Sequence, residues 1–118
     1  MDDEPYVIHR YTRENAIEDG VLVDVTEQAK ETGILLPTVI TDHLHRVLEQ
    51  IPERSIGQDW RGRLHYVLWM TFLKLKAMQT LRDAEFPVQV QVIIDGKTET
   101  LWAVVDGDGL TIMYPEDY

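Results

Sequence analysis

The chain has 118 residues, of which 44% are hydrophobic and 27% charged, with no cysteine and a formal net charge of −10 at pH 7. That length and usage suit one folded domain, residues 1–118, whose core needs neither metal nor disulfide; they exclude a thiolate metal site and a cysteine nucleophile. The acidic balance argues against direct nucleic-acid binding, which needs a basic surface, and no apolar run approaches the roughly 20 residues that span a bilayer.

The start, Met1-Asp2-Asp3-Glu4-Pro5, lacks the basic and apolar stretches of a secretory signal, so a cytoplasmic protein with no membrane partner is expected. Tyr6 to Tyr11 reads as a short extended piece. Thr12 then caps a short helix from Arg13 to about Asp19, which Gly20 stops. Val21 to Val25 is dense in β-branched residues and predicts a strand. Thr26 caps a second helix over Glu27 to Thr32, ended by Gly33, and Ile34-Leu35-Leu36-Pro37 forms an apolar connector anchored in the core. Thr38 or Thr41 opens a third helix to about Gln50, with Pro52 just beyond.

A long central helix is expected from about Asp59 or Trp60 to about Arg82. At about 100° per residue, Trp60, Leu64, Val67, Leu68, Leu75 and Met78 share one broad face. A second apolar stripe holds Tyr66, Trp69, Met70, Leu73 and Ala77. This is more apolar surface than one packing face uses, so the helix is sandwiched within its domain or packs against a second subunit as a homodimer. The sandwich is the favoured expectation.

From Phe86 to Ile94 the chain alternates, with Val88, Val90, Val92 and Ile94 on one side and Gln89 and Gln91 on the other. Asp95-Gly96 marks a hairpin turn into a partner strand over Thr98 to Val105. A two- or four-residue loop sets Leu101, Ala103 and Val105 beside the valines, and a three-residue loop sets Trp102 and Val104 there. Asp106 to Gly109 turns again into Leu110 to Tyr114. The expected fold is therefore α+β: short N-terminal helices with one strand, and the central helix packed on a C-terminal three-stranded antiparallel meander.

Charge is unevenly spread. Residues 1–53 carry four basic and twelve acidic side chains, a net −8; residues 54–82 carry six basic and one acidic, a net +5; residues 83–118 carry one basic and eight acidic, a net −7. A basic middle between acidic flanks favours a fold in which the central segment is clasped by its neighbours. Solubility accounts for the overall charge; the sharper alternative is an acidic surface that imitates nucleic acid and occupies a basic site on another protein.

Few motifs carry chemistry. His43 and His45 are two apart on a helix and point to different sides, whereas Asp42, His45 and Glu49 share a face that serves equally well as solvated surface. Asp106-Gly107-Asp108-Gly109 resembles the start of a calcium loop, but Leu110 and Asp117 stand where the loop needs an oxygen donor and a glutamate, and a hairpin turn explains it better. There is no phosphate loop, no nucleophile elbow and a single serine, Ser55, so no catalytic residues are assigned and neither metal nor cofactor is expected. Arg61, Arg63 and His65, at the start of the central helix, form a candidate anion or small-ligand site, on which a minor enzyme would have to rely. Trp69 and Trp102 are candidate binding anchors if exposed.

The run Tyr11-Thr12-Arg13-Glu14-Asn15-Ala16-Ile17-Glu18-Asp19-Gly20-Val21-Leu22-Val23-Asp24-Val25, continued by Ala29, Gly33, Pro37 and Thr41 and joined by Gly62-Arg63-Leu64 and Val67-Leu68-Trp69-Met70, resembles a family of small bacterial proteins carried on phages, plasmids and other mobile elements. The resemblance covers most of the chain and is strongest over residues 11–41. It implies a setting and no chemistry: an accessory gene of a mobile element in a bacterial cytoplasm. Setting and acidic charge together lead to the expectation of a non-catalytic accessory protein that binds a protein partner, of which an inhibitor of host defence (anti-restriction or anti-CRISPR in type) is the narrowest form.

Overall fold

The computed structural model describes residues 12–50, 59–78 and 87–118. The expected extended piece at Tyr6–Tyr11 lies outside them. Chain order is α1 (Arg13–Glu18), β1 (Leu22–Asp24), α2 (Thr26–Thr32), β2 (Thr38–Thr41), α3 (Asp42–Glu49), α4 (Trp60–Ala77), β3 (Val88–Ile94), β4 (Lys97–Asp106) and β5 (Gly109–Met113), closed by a 3₁₀ turn over Pro115–Asp117. The class is α+β, but the sheet has five strands in the order β1-β2-β5-β4-β3, and β2 runs parallel to β5 while every other pair is antiparallel.

The three-stranded meander is therefore one side of a larger mixed sheet. The difference lies in β2. Thr38-Val39-Ile40-Thr41 is four β-branched residues in a row, all buried, and it inserts between β1 and β5 as a short central strand. Thr41 also keeps the capping role expected of it, because its hydroxyl accepts from the Leu44 amide at 3.3 Å at the start of α3. A close approach admits β2 here. A Cβ at Gly109, where φ is +128°, would stand 2.2 Å from the Pro37 carbonyl oxygen, which instead accepts the Leu110 amide at 2.8 Å.

Local signals fix the remaining ends. Thr12 and Asn15 form a reciprocal capping box at α1. Val25, not Thr26, is the N-cap of α2; the Asp24 carboxylate accepts from the Thr26 amide at 3.0 Å and from its hydroxyl at 2.6 Å. Gly33 ends α2 in the left-handed conformation, and a Cβ there would meet the Phe72 ring at 2.9 Å, so α2 packs directly on α4. Asp95 (φ +54°) and Gly96 (φ +78°) make a two-residue type I′ hairpin, which settles the register: Val90 pairs with Leu101 and Val88 with Ala103.

One row of the sheet's inner face reads Val23, Ile40, Ile112, Ala103 and Val88 across all five strands. Against that face α4 lays Leu64, Val67, Leu68 and Thr71, with Val25, Ala29, Leu44 and Leu48 from the shorter helices completing the core. Each fully buried leucine or valine stabilises the fold by about 1.5–3 kcal/mol. On the opposite face Arg13 at the start of α1 donates to Thr111 Oγ1 at 3.2 Å and to the Leu110 carbonyl at 2.6 Å. The helix α4 ends at Ala77, with Met78 in extended conformation, and the rest of the expected continuation, to Arg82, lies outside the described residues. Among the described residues, no helix is long and apolar enough to cross a membrane.

Candidate functional site

The helix α4 departs from a sandwich. Asp59 caps it by accepting from the Gly62 amide at 3.0 Å, and one side of it is buried in the core. The second apolar stripe divides. Tyr66 and Met70 pack partly against the core, whereas Trp69 and Leu73 each keep 43% exposure and Ala77 is exposed. Trp69 and Leu73, four residues apart, form one exposed apolar patch on the outward side of the helix.

Arg61, His65 and Trp69 follow one another at intervals of four, so they form a line along α4, and Phe72 and Lys76 continue it. The Trp69 and Phe72 rings stack with centroids 5.6 Å apart; the Lys76 ammonium lies 5.6 Å from the Phe72 ring centre, and the Arg61 guanidinium 5.9 Å from that of Trp60. The result is an aromatic strip edged by cations on a protein of opposite overall charge. Leu35, 82% exposed, follows two residues after Gly33, the residue that packs on Phe72. Of the apolar connector, Ile34 is buried in the core and Leu36 packs partly against it.

Arg63 does not join Arg61 and His65. Its guanidinium pairs with Asp95 in the hairpin turn and donates to the Gln50 carbonyl at 3.1 Å, at the C-terminal end of α3. It thus ties the basic central segment to an acidic flank, the clasp that the charge blocks suggest, and the three side chains do not converge on one anion. Trp102 also stands apart. It projects from the sheet face opposite α4, beside Gln89 and Met113, and meets Tyr118 edge-on at 5.5 Å.

A second polar cluster joins residues more than seventy apart. Asp117, in the 3₁₀ turn, accepts from Thr41 Oγ1 at 2.8 Å, from the Tyr114 amide at 3.1 Å and from His43 Nδ1 at 3.0 Å. Burial, the largest single influence, pushes the Asp117 carboxyl up, but the hydrogen bonds from His43, Thr41 and the Tyr114 amide together outweigh it and hold the group below its ordinary value. An ionised carboxylate only accepts, so Nδ1 is the nitrogen that donates to it. The Tyr114 hydroxyl donates to Glu99; burial, that hydrogen bond and the surrounding carboxylates all raise its pKa. The His43 ring also lies 4.5 Å from the Tyr114 ring. Chemically the cluster orients an imidazole, and mechanically it fastens the C-terminal turn to β2 and α3.

Composition and spacing gave no sign of that cluster except the pairing of Pro115 with a carboxylate three residues after Tyr114, a start-of-turn signature. The face shared by Asp42, His45 and Glu49 is not drawn together. Asp42 pairs with Arg46 at 2.5 Å, while His45 lies 3.5 Å from Glu49 and edge-on to Trp60. Among the described residues, no group of three histidine or carboxylate side chains could hold a metal ion. Asp106 to Gly109 forms the turn between β4 and β5, with the Asp106 carboxylate accepting from the Asp108 amide at 2.8 Å.

Comparison with models of known protein families, with curated proteins and with solved structures finds no match.

Proposed function

We propose that this is a non-catalytic accessory protein, of the mobile-element type its sequence resembles, that acts by binding another protein through the strip Arg61–His65–Trp69–Phe72–Lys76 on α4. The observation that carries the reading is Trp69, 43% exposed and stacked on Phe72, on a helix whose opposite side carries the buried Leu64, Val67, Leu68 and Thr71. An exposed tryptophan is the residue type most enriched at binding hot spots, because its ring buries a large area with only two side-chain torsions to freeze. The cationic border suits an acidic partner surface, and the acidic remainder of the molecule disfavours docking such a partner anywhere else.

The narrower form, an acidic inhibitor of a host defence protein, draws on the net charge of −10 and would use a different surface. Affinity capture from host lysate with the wild-type chain, Trp69→Ala and Arg61→Glu separates the two. Trp69→Ala is expected to weaken capture of the specific partner by about 30-fold, the cost of about 2 kcal/mol at a hot spot, with unfolding unchanged. A partner retained by both variants but released by moderate salt would place binding on the acidic surface. Capture of nothing that distinguishes the wild-type chain from a scrambled acidic control would end the protein-binding reading.

A further inference from the structure

The sheet has two edges of unequal character. One is β1, three residues long and ending in the charged Asp24. The other is β3, seven residues of regular alternation, Val-Gln-Val-Gln-Val-Ile-Ile, with no charge, no proline and no bulge. Proteins blunt their sheet edges with those devices, because an open edge offers unpaired amides and carbonyls to another strand. Here the blunting is partial. The type I′ turn makes Ile94–Lys97 a hydrogen-bonded pair, so Val88, Val90 and Val92 bond inward to β4 while Gln89, Gln91 and Ile93 direct their amides outward. The Ile93 amide is taken up by the Tyr66 hydroxyl of α4 at 3.0 Å. Among the described residues, nothing pairs with the outward backbone of Gln89 and Gln91.

We infer that a second copy of this chain adds to β3, antiparallel and with Val90 on the two-fold axis. That register uses the outward groups of Gln89 and Gln91 on both chains and ends where Tyr66 caps Ile93, so the cap sets the register and need not be displaced. Gln89 of each copy then faces Gln91 of the other on the outer side, and Val88 faces Val92 on the inner side, so no like charges meet along the joined strands. A partner strand of strong charge would find no counter-charge on this edge, whereas the edge complements itself.

The layer above agrees. Arg63 meets Asp95 and Tyr66 meets Ile93, so α4 and β3 run antiparallel side by side. Leu73 lies seven residues beyond Tyr66, about 10 Å along the helix, and Val90 lies three residues before Ile93, about 10 Å along the strand. Leu73 is therefore level with the proposed axis along the strand direction. Leu73 stands beside Trp69, which is four residues before it on the helix, but the strand pairing itself rests on the β3 backbone, to which Trp69 contributes nothing.

Sedimentation of the full chain tests it, at concentrations up to about 1 mM, the limit of meaningful weak association. The wild-type chain is expected to form dimers. Gln91→Pro is expected to yield monomers with the fold kept, since the amide it removes points out of the sheet. Gln89→Lys combined with Gln91→Lys, which sets lysines opposite one another across the axis, should do the same and decides the matter if the proline variant fails to fold. Trp69→Ala should remain dimeric. Amide exchange at Gln89 and Gln91 should be slower in the wild-type dimer than at Gln89 in the monomeric proline variant. A wild-type chain that stays monomeric, or a dimer indifferent to both the proline and the lysine variants, would overturn the proposal.

Discussion

Replacing Asp117 with alanine tests how the last turn is held. The side chain is 16% exposed and accepts three hydrogen bonds, two of them from donors on buried residues, the Thr41 hydroxyl and the Tyr114 amide. A net hydrogen bond contributes about 0.5–1.5 kcal/mol, more when the acceptor is charged, and a donor left buried without a partner adds its desolvation cost. Because the three share one acceptor they do not sum, and Asp117→Ala should cost about 2–3 kcal/mol at pH 7, a fall in Tm of about 8–12 °C for a chain of this size. The effect must depend on pH with a definite sign. Folding lowers the carboxyl below its ordinary 3.8, so the unfolded chain takes up the proton first. The stabilisation is complete above that ordinary value and is lost as pH falls through the lower folded value. Urea unfolding followed by tryptophan fluorescence from pH 7 downward should therefore show the wild-type and variant curves converging in acid. A variant within 0.5 kcal/mol of wild type at pH 7, against the about 1 kcal/mol of even one ordinary hydrogen bond, would refute the reasoning, and so would a gap that stayed constant through the acid range.

Two further substitutions probe the fold by the same measurement. Leu68→Ala removes a fully buried side chain from the face of α4 that lies on the sheet and should cost about 2–5 kcal/mol, with a loss below 1 kcal/mol indicating a core that α4 does not organise. Gly109→Ala introduces a Cβ 2.2 Å from the Pro37 carbonyl oxygen at a backbone angle that alanine rarely adopts, so it should cost more than about 3 kcal/mol and detach β5 from β2; near-normal stability would show that this crossing point tolerates movement.

Much of the fold was legible because local chemistry and tertiary packing agree there. The capping box at Thr12, the glycine stop at Gly33 and the alternation from Val88 to Ile94 are each decided within a few residues. The strand β2 was harder because its ends are threonines, and a threonine serves equally well as a helix cap or as a strand residue. Only the fit of Pro37 against Gly109, more than seventy residues away, selects the strand. The candidate site divides on the same line. Arg61, His65 and Trp69 share a flank because helical spacing requires it, whereas Arg63 is only two residues from Arg61 and was bound to leave that flank; the charge blocks, not the spacing, pointed to its pairing with Asp95. The Asp117 cluster brings together three segments that carry no shared pattern, so nothing local could announce it.

The excess apolar surface of α4 remains the organising fact, and the structure distributes it over three directions. Leu64, Val67, Leu68 and Thr71 face the core. Tyr66 and Met70 lean toward the β3 edge, where Tyr66 closes one amide and leaves its neighbours open. Trp69 and Leu73, neighbours four residues apart, face outward, with Phe72 and Lys76 beside Trp69. A helix that served only to cover a sheet would need the first set alone, and exposing the others costs about 25 cal/mol for each Å² of apolar surface left in water. On the two proposals, a second copy paired along the neutral β3 edge covers one of these directions, and a partner of different composition seated on the cationic aromatic strip covers the other.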